Sequence, residues 1–302
     1  MFSELLSESG LSLDRLESFC RVAQAGGVTK AAKGDPARQS LFSRQIKELE
    51  EFFGTDLIRR KGRGIALTEY GARLHTIACD CFAALSDFKS DCRGRPVEVV
   101  IGAGESVIQW LLLPRLEELR RRLPNVRLKF LNLPTTEAVK RLGDGTIDFA
   151  LVRKDAATRP LQTTSLGEIT YRLFLPPGLR VAAGPEVNVK ALRGIPLATL
   201  EGEGSFRTEL NALAKKAGIT FNLQVECSSF PLLARFVARG NVAAILPNIA
   251  EEDLLEAGVN AVALPFLKRF SRPMCLATNA RLIRIRPVLG QVAAVLSQLC
   301  RF

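Results

Sequence analysis

The sequence predicts an all-α N-terminal block folded as a winged helix-turn-helix, followed by an α/β C-terminal domain of two lobes. Three observations lead there. Residues 13–91 keep helical periodicity almost throughout, broken at Gly26-Gly27, at Gly34-Asp35-Pro36 and across the Gly/Arg-rich stretch 59–64. Cys92-Arg93-Gly94-Arg95-Pro96 then reads as a linker, because Gly and Pro end a helix. Beyond it, short β-branched runs alternate with helical segments, which predicts α/β architecture with mainly parallel sheets.

The first helix carries Leu16, Phe19, Cys20 and Ala23 on its apolar face and stops at Gly26-Gly27. Thr29 is expected to cap a second helix through Ala31 and Ala32. A third helix is expected over residues 39–53, with two distinct faces. Phe42, Ile46, Leu49 and Phe53 form a core face, while Ser40, Ser43, Arg44 and Lys47 form a flat cationic one. The second helix of a helix-turn-helix enters the major groove, where Arg and Lys reach guanine and short polar side chains reach bases or phosphates. Gln39 and Ser40 sit at its expected leading end, where backbone N–H groups favour phosphate, with Arg38 and Thr29 as neighbouring candidate contacts.

Arg59-Arg60-Lys61-Gly62-Arg63-Gly64 next reads as a two-stranded wing that turns at its glycines and lays its cations along the DNA backbone or minor groove. Thr68 is expected to cap the long helix that follows, where Tyr70, Leu74, Ile77, Cys81, Leu85 and Phe88 form one apolar stripe. A second copy of the chain is the economical partner for that stripe, and its two-fold symmetry matches a pseudo-palindromic duplex. A Ser/Arg/Lys helix face is by itself only a solvated surface. The order of cationic face, basic hairpin and striped helix is what favours DNA.

In the second part, strands are expected at 97–101, 126–131, 147–152, 197–200, 221–227 and 242–246. Helices are expected at 106–122, 135–142, 205–217, 230–239 and 248–256, and a last helix at 285–300 returns to pack on the first lobe. The boundaries expected are an extension at 1–12, the winged helix-turn-helix at 13–68, a dimerising helix at 69–92 and the two-lobed domain at 93–302. Lobe I takes about 93–165 and 269–302, and lobe II about 166–268.

Composition narrows the function. The 302 residues are 47% hydrophobic and 24% charged, an ordinary globular balance. No apolar run approaches the roughly 18 residues of a membrane span. The first 13 residues carry Glu4 and Glu8 rather than a secretory signal, so the cytoplasm is the expected compartment. Seven cysteines form no CxxC pair and the only histidine is His75, expected at a surface or interface. Neither metal nor cofactor is expected, and the thiols are expected to be reduced and mostly buried. No P-loop or GxSxG elbow is present, so no catalysis is expected. Lys and Arg number 42 against 31 Asp and Glu, yet the first 92 residues hold 13 of each, so the +11 net charge belongs to the second part. The DNA reading therefore rests on local placement rather than total charge.

Leu16-Glu17-Ser18-Phe19, the run from Gly26 to Ala32, the run from Gln39 to Glu50, Gly54, and Arg63-Gly64 through Leu67-Thr68-Glu69 with Gly71 resemble the signature of LysR-type transcriptional regulators. The resemblance spans nearly the whole chain. It implies a winged helix-turn-helix, a dimerising linker helix, and a two-lobed effector domain of the periplasmic-binding-protein type (type 2). It also implies control by a small-molecule effector, homodimers or homotetramers, and RNA polymerase as a further partner. Two positions depart from the family pattern: Asp35 stands where an apolar residue is usual, and Ser40 where Pro is usual. Pro36 disfavours helical geometry at Asp35, so the second helix is expected to end short there.

An effector would lie in the crevice between lobes, near strand ends and helix N-termini. The candidates are Glu105, Ser106, Thr135, Arg153, Ser205, Phe206 and Ser228. Arg153, at the end of its strand, would bind a carboxylate bidentately, which points to an organic acid. The resemblance implies the same role, since in family members that sense small aromatic or dicarboxylic acids an Arg at the matching place serves it. The alternative is that Arg153 and Lys154 merely open a solvated loop. At the level of the whole chain, the alternatives are a solute-binding protein, a non-specific architectural DNA binder, and a redox-responsive regulator acting through Cys227 or Cys275.

Overall fold

The computed structural model describes residues 5, 9–62, 64–182, 184, 187–202 and 204–302, with the side chain of Ser205 left out. Two compact units emerge, one built from the first 95 residues with 144–146, the other from 96–143 and 147–302.

The first unit opens with α1 (Leu13–Ala25), capped by the Ser12 hydroxyl and ended by Gly26 in the left-handed conformation. Then come α2 (Val28–Ala31) and α3 (Pro36–Phe53). Phe19, Val22, Phe42, Ile46, Leu49 and Leu57 build its core. Phe53, expected there, is 38% exposed and packs edge-on against Phe52 instead. Strands β1 (Ile58–Lys61) and β2 (Gly64–Leu67) pair antiparallel around Gly62, and α4 (Glu69–Cys92) follows.

Two expectations change here. Thr29 does not cap α2, because Gly27 holds that position with no side-chain bond and Thr29 is exposed within the helix. The third helix begins three residues earlier than periodicity suggested. Asp35 is its N-cap, its Oδ1 accepting from the N–H groups of Ala37 and Arg38, and Pro36 fills the first helical position. Proline costs nothing there, since that N–H lacks an intrahelical partner anyway. Pro36 holds Asp35 in the extended geometry of an N-cap, which starts α3, whereas α2 has already ended at Ala31, ahead of the left-handed Lys33 and Gly34.

The second unit has two five-stranded sheets, ordered β4-β3-β5-β12-β6 and β11-β7-β10-β8-β9. The first combines β3 (Val97–Ala103), β4 (Val126–Asn132), β5 (Phe149–Arg153), β6 (Gln162–Ile169) and β12 (Arg272–Thr278). The second combines β7 (Tyr171–Leu175), β8 (Pro196–Leu200), β9 (Asn222–Cys227), β10 (Ala243–Pro247) and β11 (Asn260–Val262). Each has a parallel trio and two antiparallel strands, so the sheets are mixed rather than mainly parallel. Strands β6, β7, β11 and β12 were not foreseen. The chain changes sheets at Thr170 and again at Ser271, which shifts the lobe boundary from 165 to about 170 and from 269 to about 271.

Both sheets are buried on two faces with a period of two. Phe149 and Leu151 point into one core of lobe I and Ala150 and Val152 into the other. In lobe II Ala243 and Ile245 face one core, Ala244 and Leu246 the other. The helix expected over 106–122 is α5 (Glu105–Val107), a π-helical turn (Ile108–Leu112), a 3-10 turn at Pro114 and α6 (Leu116–Arg122). Helices α7 (Thr135–Gly143), α8 (Ser205–Ala217), α9 (Phe230–Arg239) and α10 (Glu251–Glu256) match expectation within a few residues. The last expected helix, over 285–300, is α12 (Val288–Leu299), and Pro287 separates it from a further short helix, α11 (Ala280–Ile285). Leu289, Val292 and Leu296 of α12 return to the lobe I core, as expected.

Candidate functional site

In the first unit the site is built from α3 outward. Ser40, Ser43, Arg44 and Lys47 are exposed on one face while Phe42, Ile46 and Leu49 are buried on the other. Because the helix starts at Pro36, Gln39 and Ser40 lie a turn inside it rather than at its leading end, and Gln39 is half-buried. Arg38 stands in the first turn, 3.5 Å from the Asp35 carboxylate. The acids that follow have structural tasks. Glu48 binds Arg15 at 2.5 Å and lies 3.8 Å from Arg44, and Glu51 lies 3.5 Å from Lys47. Glu50 accepts from the N–H groups of Leu57 and Ile58 at 2.8 and 3.2 Å, anchoring the root of the wing to the helix.

Arg59, Arg60 and Lys61 are exposed on β1; Arg63 lies outside the described residues. The wing is fixed at both ends. Ile65 donates its N–H to the Gly26 carbonyl at 3.2 Å, tying β2 to the end of α1. At the other end the Thr68 hydroxyl donates to the Asp56 carbonyl and accepts from the Gly71 N–H, capping α4 as expected. Gly71 has no alternative residue: a Cβ there would lie 1.9 Å from the Leu57 carbonyl oxygen.

Along α4, Tyr70, Ile77, Cys81, Leu85 and Phe88 are exposed, Ile77 at 63% and Phe88 at 67%. Leu74 departs from this stripe and packs on the core, because it lies between the buried positions Gly71, His75 and Ala78. His75 is buried at 8% exposure rather than at a surface or interface. Its ring meets Phe19 edge-on, and a hydrogen bond with Cys79 pushes its pKa up against the opposing effect of burial.

In the second unit the expected effector residues stand at the ends of separate strands and helices. Glu105 is exposed and Ser106 half-buried at the start of α5; Thr135 opens α7 and is half-buried. Ser228 is exposed, while its neighbour Ser229 caps α9 through the Leu232 N–H. Phe206 is already engaged, stacked on Tyr171 at 5.0 Å and in contact with Phe230 and Phe270. The Ser205 side chain lies outside the description. Arg153 closes β5 with its side chain 39% exposed; among the described residues its buried Nε has no hydrogen-bond partner, and the Asp155 carboxylate lies 3.6 Å away. A cavity of about 350 Å³ takes in Glu105 alone of these candidates, with Gln109, Trp110, Leu232, Arg235 and Asp253. Trp110, the only tryptophan, five residues beyond Glu105, was the available signal for this cavity.

Of the two thiols weighed for redox sensing, Cys275 is buried and Cys227 half-buried, and burial pushes both up toward the neutral, unreactive form. Arg286, counted in the basic surplus, is instead buried against Asp148.

Residues 13–72 match the family of bacterial regulatory helix-turn-helix proteins of the lysR type, and residues 94–298 match the LysR substrate binding domain. The chain belongs to the LysR family of DNA-binding transcriptional regulators, with a helix-turn-helix domain and an effector-binding domain. A probable nitrogen assimilation transcriptional activator of Synechococcus elongatus is 28% identical over 255 residues, 80% of this chain and 81% of the relative. Full-length OxyR from Pseudomonas aeruginosa has the same fold at a TM-score of 0.65 and 18% identity, over 97% of this chain and 96% of that one. LysG from Corynebacterium glutamicum, solved with bound effector arginine, matches at a TM-score of 0.57 and 15% identity, over 94% of this chain and 99% of that one. Among the described residues no helix is long and apolar enough to cross a membrane.

Proposed function

We propose that the protein is a sequence-specific regulator whose α3 reads the major groove through Ser40, Ser43, Arg44 and Lys47, while Arg59, Arg60 and Lys61 of the wing hold the backbone. The observation that carries this is the two-faced α3, with a buried apolar side and an exposed polar, cationic side flanked by the basic hairpin. The exposed stripe on α4 supports a homodimer that reads two half-sites. The protein acts by binding rather than catalysis, alongside the genome in the cytoplasm. Its effector is a small organic acid held by Arg153, whose buried Nε has no hydrogen-bond partner among the described residues.

Footprinting on genomic fragments tests the DNA reading. Protected sites of one sequence class are expected; equal, salt-dependent affinity for all DNA would refute sequence specificity. Arg44→Ala should cost about 1–3 kcal/mol of discrimination if Arg44 contacts a base, whereas a phosphate contact would weaken all sequences alike. Thermal-shift screening of organic acids tests the effector: a shift in the wild type that is lost in Arg153→Ala is expected. Equal shifts in both would remove Arg153 from the site.

A further inference from the structure

Three metal-ligating side chains that are scattered in sequence converge inside the first unit. The donor atoms of Cys20, His75 and Cys79 all lie within 4.8 Å of one another. His75 and Cys79 are four residues apart on α4, which places them on one helix face, and Cys20 faces them from α1. The Cys79 Sγ lies 3.7 Å from His75 Nε2. A tetrahedral Zn²⁺ bound at about 2.3 Å to sulfur and about 2.0–2.1 Å to nitrogen separates those two ligands by about 3.6 Å. Along α4 the two donors already hold the spacing such an ion needs, and Cys20 completes the set from α1 within 4.8 Å.

The surroundings match the charge of that assembly. Phe19, Val22 and Ala78, all buried, border the cluster, so an isolated charge there would be costly. Two thiolates neutralise one divalent cation, and a neutral imidazole adds no charge. His75 is almost fully buried and Cys79 half-buried, leaving the fourth tetrahedral position to water on the Cys79 side.

We propose that Cys20, His75 and Cys79 bind one Zn²⁺ ion, which clamps the first helix of the DNA-binding head to the long helix α4. On binding, the Cys20 and Cys79 thiols each release a proton to solvent and bind through sulfur, and His75 binds through Nε2 of its neutral ring. No oxidant or reductant takes part. Because protons are displaced, affinity rises with pH.

The test titrates the reduced, metal-free full-length protein with Co²⁺ as a spectroscopic probe, then with Zn²⁺. One equivalent of Co²⁺ per chain is expected to give a thiolate-to-cobalt charge-transfer band that Zn²⁺ bleaches, and Zn²⁺ is expected to raise Tm. Cys79→Ser, at a half-buried position that tolerates the change, should weaken binding at least tenfold with an unchanged circular dichroism spectrum. Cys81→Ser and Cys92→Ser, at exposed positions, should leave the band intact. Absence of the band, or an undiminished Co²⁺ affinity in Cys79→Ser, overturns the proposal. So does a Cys20–Cys79 disulfide formed under mild peroxide in a protein that binds no Co²⁺.

Discussion

The buried ion pair of lobe I gives the sharpest quantitative test. Asp148 and Arg286 are 5% and 7% exposed, and the Arg286 guanidinium donates Nη1 to Asp148 Oδ1 and Nη2 to the Glu98 carbonyl at 3.0 Å. Asp148 Oδ2 accepts the Val100 N–H at 2.7 Å, so the pair links β3, the turn before β5, and the segment between α11 and α12. Arg286→Met removes one buried guanidinium from the Asp148 carboxylate in the interior. Breaking a buried pair from one side costs about 3–5 kcal/mol. At about 2–4 °C per kcal/mol for a unit of this size, Tm should fall by roughly 6–20 °C. Asp148→Asn in that background keeps an acceptor for Val100 and removes the carboxylate charge, so the double variant should be more stable than the sum of the singles by about 0.5–3 kcal/mol. Differential scanning calorimetry of the full-length protein at neutral pH reads both numbers. A Tm change under about 2 °C for Arg286→Met, or strict additivity in the cycle, would refute the claim that the pair's charges sustain each other in a dry interior.

Gly71→Ala places a methyl group against the Leu57 backbone, which has no flexible end to yield, and overpacking of this kind costs about 1–3 kcal/mol or more. Thermal melts should show that loss together with weakened DNA protection; a variant as stable as the wild type would contradict the close approach. Phe88→Glu puts a charge on the exposed stripe of α4, and sedimentation analysis should report a shift from dimer toward monomer; an unchanged species distribution would move the interface elsewhere. Glu118 is held down at about 2 by the Arg121 and Arg122 guanidiniums. A depressed carboxylate stabilises the fold above its unfolded value near 4.5, and that contribution is lost as pH falls from there toward about 2. Urea unfolding at stepped pH should show a shallower acid decline for Glu118→Gln than for the wild type, and parallel declines would deny the carboxylate this role.

The DNA-binding head was largely legible because its elements are local. Amphipathic periodicity marks α1, α3 and α4 within one or two turns, and paired glycines mark the wing. The misreadings came where one residue can play two local roles. Asp35-Pro36 reads as a helix breaker along the chain, yet a proline that cannot continue one helix is well suited to begin the next. The lobes were legible only in part. Strands such as β10 are buried on both faces and read as continuous apolar runs, while β6, with the residues 162–165 exposed, carries a polar sequence with no alternation to betray it. Strands β7 and β12 carry little more than short apolar runs, and their antiparallel partners lie far away in sequence.

The family, the order of the parts and the cationic face of α3 are legible in the chain, because each is encoded by spacing within a few helical turns. Contacts between distant segments were decided by the tertiary structure alone. The four-residue spacing of His75 and Cys79 puts them on one helix face, but nothing in the sequence predicts that Cys20 meets them, and nothing in Asp148 or Arg286 predicts their burial together. Such meetings depend on how helices and strands pack, and packing brings together residues that periodicity treats as independent.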